Sequence, residues 1–209
     1  MSAGGEGNIQ DHKPALLQDV IRISFSPSQE IKTIYSISWR FKKNGKLILI
    51  LDSSKEPYFI YPTKFKDRLQ ISSDLLTLTI RDMTLEDSGI YNVEVVDVNG
   101  NADSYSSNVT VYEPIPLPII MTDEKNIADQ CNFTLICSVP SNTLDVSYTW
   151  KCRQGKSEYQ PYKTGSIIQI SLPLDHQDME ILCIATKPLQ ERNVSIQVQD
   201  ICMFTGKEF

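Results

Sequence analysis

Along most of the chain, apolar side chains recur at every second position. Ile21, Ile23 and Phe25 alternate with Arg22 and Ser24, and Ile37 and Trp39 alternate with Ser38 and Arg40. A period of two turns one face of an extended segment inward and the other toward water, so it predicts strands. Asn44-Gly45 follows, a pair that tolerates positive φ at both positions and favours a tight hairpin turn. Lys46 to Leu51 is then the returning strand. Further strands are expected at Leu75 to Ile80, Ile90 to Val96 and Tyr105 to Tyr112, with Asn99-Gly100-Asn101 as the last hairpin turn. Asp82 to Gly89 has room for one short helical turn.

Glu113-Pro114-Ile115-Pro116-Leu117-Pro118 interrupts this pattern. Its alternate prolines cannot donate ladder hydrogen bonds and favour a stiff, extended joint. Beyond it the period of two resumes. Phe133, Leu135 and Cys137 alternate with Thr134, Ile136 and Ser138, and Tyr148 and Trp150 lie on the next strand. Ile167 to Leu172, Ile181 to Ala185 and Val194 to Val198 complete the set, and no long helix is expected. The organisation predicted is a flexible leader over 1–15, a first domain over 16–112, a joint over 113–118, a second domain over 119–203 and a tail over 204–209.

Cysteine turns strands into a fold. All five cysteines lie in the second half, and Cys137, Trp150 and Cys183 occur in the order of the immunoglobulin signature. In that signature a disulfide joins two sheets and the indole packs against it. Cys131 and Cys202 remain as a second pair, stapling the start of the domain to its last strand, although order alone does not fix connectivity. Closing so long a loop contributes roughly 4 kcal/mol in the chain-entropy model. Cys152, two residues after Trp150, is left as a small inward thiol or an intermolecular bridge. The first half has the same signals without cysteine. Trp39 is the core tryptophan, and Asp87-Ser88-Gly89-Ile90-Tyr91 is a tyrosine-corner pattern, its phenol bonded to nearby backbone. Val93 and Ile23 stand where the bridge would be, and Arg68 is expected to pair with Asp87 as a structural salt bridge. The fold class predicted is all-β: two tandem immunoglobulin-like sandwiches, variable-type without a disulfide and then constant-2-type with two. At roughly 100 residues each, they account for the 209 residues.

Composition narrows the function. A formal charge of −6, with 41% hydrophobic and 22% charged residues, is that of an ordinary folded protein without the basic footprint of nucleic-acid binding. No apolar run approaches a membrane span, and the N-terminus lacks a signal-peptide pattern. Three acceptor sequons, at Asn108, Asn132 and Asn193, beside a disulfide framework point to the secretory route. The two histidines, His12 and His176, have no indicated nucleophile partner. There is no Gly-rich phosphate loop and no close cysteine pairing of a zinc site. We therefore expect no catalytic residue, metal, cofactor or small-molecule substrate.

Trp39, Asp87-Ser88-Gly89-Ile90-Tyr91, the proline-rich joint, Cys131-Asn132-Phe133-Thr134-Leu135-Ile136-Cys137, Tyr148-Thr149-Trp150, Cys183 and Cys202 together resemble the SLAM family of lymphocyte surface receptors. The resemblance runs from about Val20 to Cys202. Tyr58-Phe59, Lys64 to Arg68 and Glu113 to Ile120 look most like the GPI-anchored member of that family. Tyr91 to Val95 is similar to the natural-killer receptor that binds that member. Two departures are Ile181, where the family often has a tyrosine, and the spare Cys152. The resemblance implies a cell-surface ectodomain that meets a SLAM-family ectodomain on an opposing cell, head to head. The GFCC′C″ sheet of the first domain would make the contact, with the second domain as spacer. A viral or secreted decoy, or a homophilic receptor, would carry the same signals.

Alternation locates the expected face. With Trp39 inward, Arg40 and Lys42 point outward; with Tyr91, Val93 and Val95 inward, Asn92, Glu94 and Val96 point outward. On the return strand Leu47, Leu49 and Leu51 are assigned to the core, leaving Ile48 and Ile50 as an apolar outer patch beside Lys46. The hairpin tip adds Asp97 and Asn99.

Overall fold

The computed structural model describes residues 9–54, 57–124, 130–140, 145–173 and 178–202. The first eight residues, His176 and the expected tail 204–209 lie outside them. The chain divides between Glu113 and Pro114 into two compact units.

The first unit holds β1 (Asp11–Leu16), β2 (Ile21–Ser24), β3 (Ile34–Lys43), β4 (Lys46–Asp52), β5 (Phe59–Ile60), β6 (Leu69–Ile71), β7 (Thr77–Ile80), β8 (Gly89–Asp97) and β9 (Ala102–Tyr112). They form a six-stranded sheet in the order β1-β9-β8-β3-β4-β5 and a three-stranded sheet β2-β7-β6. The expected leader is corrected at its C-terminal end. Asp11 to Leu16 pairs in parallel with Ser107 to Tyr112, and Ala15 is buried in the core. Asp11, His12 and Lys13 alternate too weakly in hydrophobicity to announce an edge strand.

Both sheets feed one core, in which Trp39, Tyr91, Ile23 and Val93 are all fully buried. Aliphatic packing thus occupies the space of a missing bridge. The Phe41 ring lies 4.9 Å from Tyr91 and 5.2 Å from Phe65, in the tilted and edge-on geometries aromatic rings favour. The Trp39 indole Nε1 donates to the Leu75 carbonyl at 2.8 Å, so its polar atom is satisfied.

Below this core a short 3-10 turn, Leu85–Asp87, buries the Asp87 carboxylate. Arg68 donates to both of its oxygens, at 2.8 and 3.1 Å, and Lys64 lies at 3.1 Å. The Thr84 backbone and hydroxyl donate as well. Burial alone would raise the Asp87 pKa, but these donors outweigh it and hold the value at about 2. The Tyr91 hydroxyl donates to the Asp87 carbonyl at 2.8 Å and closes the corner.

The second unit comprises β10 (Ile119–Glu124), β11 (Gln130–Ser138), β12 (Ser147–Gln154), β13 (Gln160–Thr164), β14 (Ile167–Pro173), β15 (Met179–Lys187), β16 (Gln190–Gln197) and the helical turn α1 (Val198–Ile201). Its sheets are β10-β11-β14 and β13-β12-β15-β16. Cys137–Cys183 and Cys131–Cys202 are bonded, with Cα separations of 6.4 and 5.9 Å. Trp150 repeats the first unit's device, donating to the Gly165 carbonyl at 2.8 Å. Cys202 follows α1 rather than lying on the last strand. Val198 and Ile201 are buried, so this turn carries the sulfur into the core. Cys152 is half-buried and unbonded, lining a cavity of about 60 Å³ with Ile170, Leu172, Met179 and Ile181. Ile115 of the expected joint packs into the second unit with Val139 and Ala185, and its N–H donates to Gln190 at 2.7 Å. No helix among the described residues is long and apolar enough to cross a membrane.

Candidate protein-binding face

Strand register places the outer side chains of the six-stranded sheet in rows, because residues directly opposite one another share a face. One row runs Ser104, Glu94, Ser38, Asp52, Phe59 across β9, β8, β3, β4 and β5. The next runs Ser106, Asn92, Arg40, Leu49, and the third Asn108, Ile90, Lys42, Leu47. Val96 lies opposite Ser36 and Ala102 nearer the hairpin tip.

At the centre, Arg40 Nη1 donates to Glu94 Oε2 at 2.7 Å, and each side chain is about one-third exposed, at 34% and 35%. The Asn92 amide donates to the Ser106 hydroxyl at 3.0 Å and stays on this surface. On the same face Leu47, opposite Lys42, and Phe59, opposite Asp52, are 61% and 56% exposed. The Phe59 ring meets Tyr61 edge-on at 4.9 Å, which gives the apolar border an aromatic end. Lys46 is exposed at the hairpin turn, where Asn44 and Gly45 have φ of 50° and 75°.

Five assignments are corrected: Ile48, Ile50 and Asp97 turn inward, and Leu47 and Leu49 turn outward. Ile50 is fully buried, and Ile48 packs against the same core. The Asn44-Gly45 turn pairs Lys43 with Lys46, so Phe41 opposes Ile48 and both point inward. A bulge between Trp39 and Arg40 then changes the phase, because Trp39 opposes Leu51 while Arg40 opposes Leu49. Ile50 and Leu51 therefore both enter the core, and the apolar outer residues of β4 are Leu47 and Leu49. Asp97 is also buried. Its carboxylate accepts from the Asn101 side chain at 2.9 Å and from the Asn99 and Asn101 backbones at 2.8 Å. The Asn101 amide chiefly pulls its pKa below the usual range against the effect of burial. Asp97 therefore organises the tip, while Asn99 and Val98 are exposed on it.

The sequons are spread over the two units. Asn108 is part of the face described above, and its Nδ2 lies 3.4 Å from His12 Nδ1. Asn132 projects from β11, and Asn193 is exposed on the edge strand β16.

The tandem sandwiches, the tyrosine corner and the disulfide–tryptophan core define a class: a two-domain immunoglobulin-superfamily protein. Residues 19–112 match the immunoglobulin V-set domain. SLAM family member 5 of Mus musculus is 28% identical over 85% of this chain and 51% of its own length. CD48 antigen of Homo sapiens is 23% identical over 79% of this chain and 66% of its own. The chain spans about half the length of the SLAM family member 5 proteins it matches. The crystal structure of murine CEACAM1b superposes with a TM-score of 0.64 at 18% identity, covering 88% of this chain and 94% of that one, a likeness of fold alone. The chain thus carries an immunoglobulin V-set domain and is similar to SLAM-family proteins, the family its motifs resemble.

Proposed function

We propose that the chain is the ligand-binding part of a cell-surface immune adhesion receptor, that it binds another protein, and that it catalyses nothing. The outer face of β9-β8-β3-β4-β5 engages a SLAM-family ectodomain on an opposing cell, and the second unit serves as spacer. The observation that carries this reading is the partly exposed Arg40–Glu94 pair on the same face as exposed Leu47 and Phe59. Charged groups beside exposed apolar and aromatic side chains are the make-up of a recognition surface. Asn92, Val96, Lys42, Lys46 and Asn99 lie around that centre. A formal charge of −6 gives the chain no basic footprint suited to nucleic acid.

A panel of SLAM-family ectodomains tested against the immobilised chain measures this directly. Arg40→Glu and Leu47→Asp should each weaken the bound partner at least about tenfold while moving Tm by less than about 4 °C. Folded variants that bind as wild type would remove the face from consideration, and a wild type that binds no panel member would remove the partner class. Opposite charges within one patch are self-complementary about a two-fold axis, which favours self-association as a second reading. Concentration-dependent dimerisation in ultracentrifugation, abolished by Arg40→Glu, distinguishes it. A secreted or viral decoy would share this face and differ only in lacking a membrane anchor on the whole protein.

A further inference from the structure

The outer face of the second unit's three-stranded sheet carries an apolar row. Met121 on β10 lies opposite Ile136 on β11, and Ile136 lies opposite Ile167 on β14. Met121 and Ile167 are 49% and 52% exposed, and Ile119 extends the strip. An antiparallel sheet with one wet face is expected to be polar there. The next rows are polar: Asp123, Thr134, Gln169, then Asn132 opposite Ser171. These five residues line an open groove of about 310 Å³.

Asn132 and Thr134 are the acceptor and hydroxyl positions of a sequon. On a strand, residues two apart share a face, so both project over this groove. Two residues of strand advance about 7 Å, which puts Asn132 about 14 Å along β11 from Ile136. We propose that Asn132 carries an N-linked oligosaccharide that lies along β11, bonds through its hydroxyls in the polar groove, and covers the Met121–Ile136–Ile167 row. In the attachment step the Asn132 amide nitrogen bonds to the anomeric carbon of a polyprenyl-pyrophosphate-linked oligosaccharide. The anomeric carbon–phosphate bond breaks, the polyprenyl pyrophosphate leaves with the electron pair, and the amide loses one proton. The apolar faces of the sugar rings then meet the apolar row, while their hydroxyls remain hydrated or bond to Asp123 and Gln169. The proposal rests on the secretory placement above, but on no partner of the first unit.

The whole chain is secreted from mammalian cells behind an added signal sequence, and the Asn132 peptide is mapped by mass spectrometry. Asn132 is expected to be glycosylated. Native enzymatic deglycosylation should raise binding of an apolar dye at least about twofold and produce self-association in ultracentrifugation. Thr134→Ala, which keeps Asn132 but removes the sequon, should do the same without enzyme. Adding Met121→Ser and Ile167→Thr to Thr134→Ala should return both readouts to the glycosylated level. Unmodified Asn132 in folded, secreted protein overturns the proposal. So does deglycosylation that leaves dye binding and mass in solution unchanged. Partner binding by the first unit is measured separately, so loss of the adhesion reading and loss of this one are distinct results.

Discussion

At the scale of single residues, two buried positions set the stability of the first unit. Ile50 is fully enclosed, so Ile50→Asp inserts a carboxylate among Trp39, Phe41 and Leu51 with no partner. Its destabilisation in urea should exceed about 3 kcal/mol, whereas Leu49→Asp on the outer face should change stability by less than about 1 kcal/mol. Asp87 gives a pH-dependent test. Its folded pKa of about 2 lies below its ordinary 3.8, so between these values the unfolded chain binds more protons. The stability from its bonds to Arg68, Thr84 and Lys64 is complete above about pH 4 and lost as the pH falls through 2. Asp87→Asn should cost about 3 kcal/mol at neutral pH by removing the carboxylate that faces Arg68 and Lys64. Its urea midpoints at acidic pH should also fall less steeply between pH 4 and 2 than those of wild type.

At the scale of elements, the β3–β4 hairpin shows what periodicity can and cannot give. The two-residue Asn44-Gly45 turn was legible, and it alone requires Lys43 to oppose Lys46 and hence Ile48 to follow Phe41 inward. The bulge after Trp39 was not legible. A run of five aliphatic residues, Leu47 to Leu51, satisfies either phase equally, and no glycine or proline marks the extra residue. The outer residues of β3 and β8 could be assigned because a tryptophan or tyrosine anchors each strand's phase. Strand β1 escaped notice because its pairing partner, β9, is distant in sequence and only Ala15 is buried. The tyrosine corner was readable as a motif, and the structure adds the reason for its glycine. A Cβ on Gly89 would come within 2.6 Å of the Phe41 ring and 2.8 Å of the Lys42 carbonyl. Gly89→Ala should therefore destabilise by about 1–3 kcal/mol through overpacking between β8 and β3. A thermal or urea titration at wild-type levels would exclude that contact as a constraint.

At the scale of the whole molecule, the two units rest on different chemistry. The first has no cysteine and holds its sheets together through Ile23, Val93, Trp39 and Tyr91. The second closes spans of 71 and 46 residues with disulfides, each worth about 4 kcal/mol in the chain-entropy model. Each unit has a separate core, so thermal unfolding should resolve into two transitions. A strong reductant should lower only one of them, and the fragment spanning residues 9–113 should reproduce the other unchanged. Cys131→Ala with Cys202→Ala should shift the same reductant-sensitive transition. It removes the staple between β11 and the turn after β16 while keeping the Cys137–Cys183 bridge against Trp150. If the adhesion reading holds, partner binding through the Arg40–Glu94 face should survive reduction below the first unit's Tm. Loss of binding on reduction, with the first transition intact, would instead place recognition in the second unit.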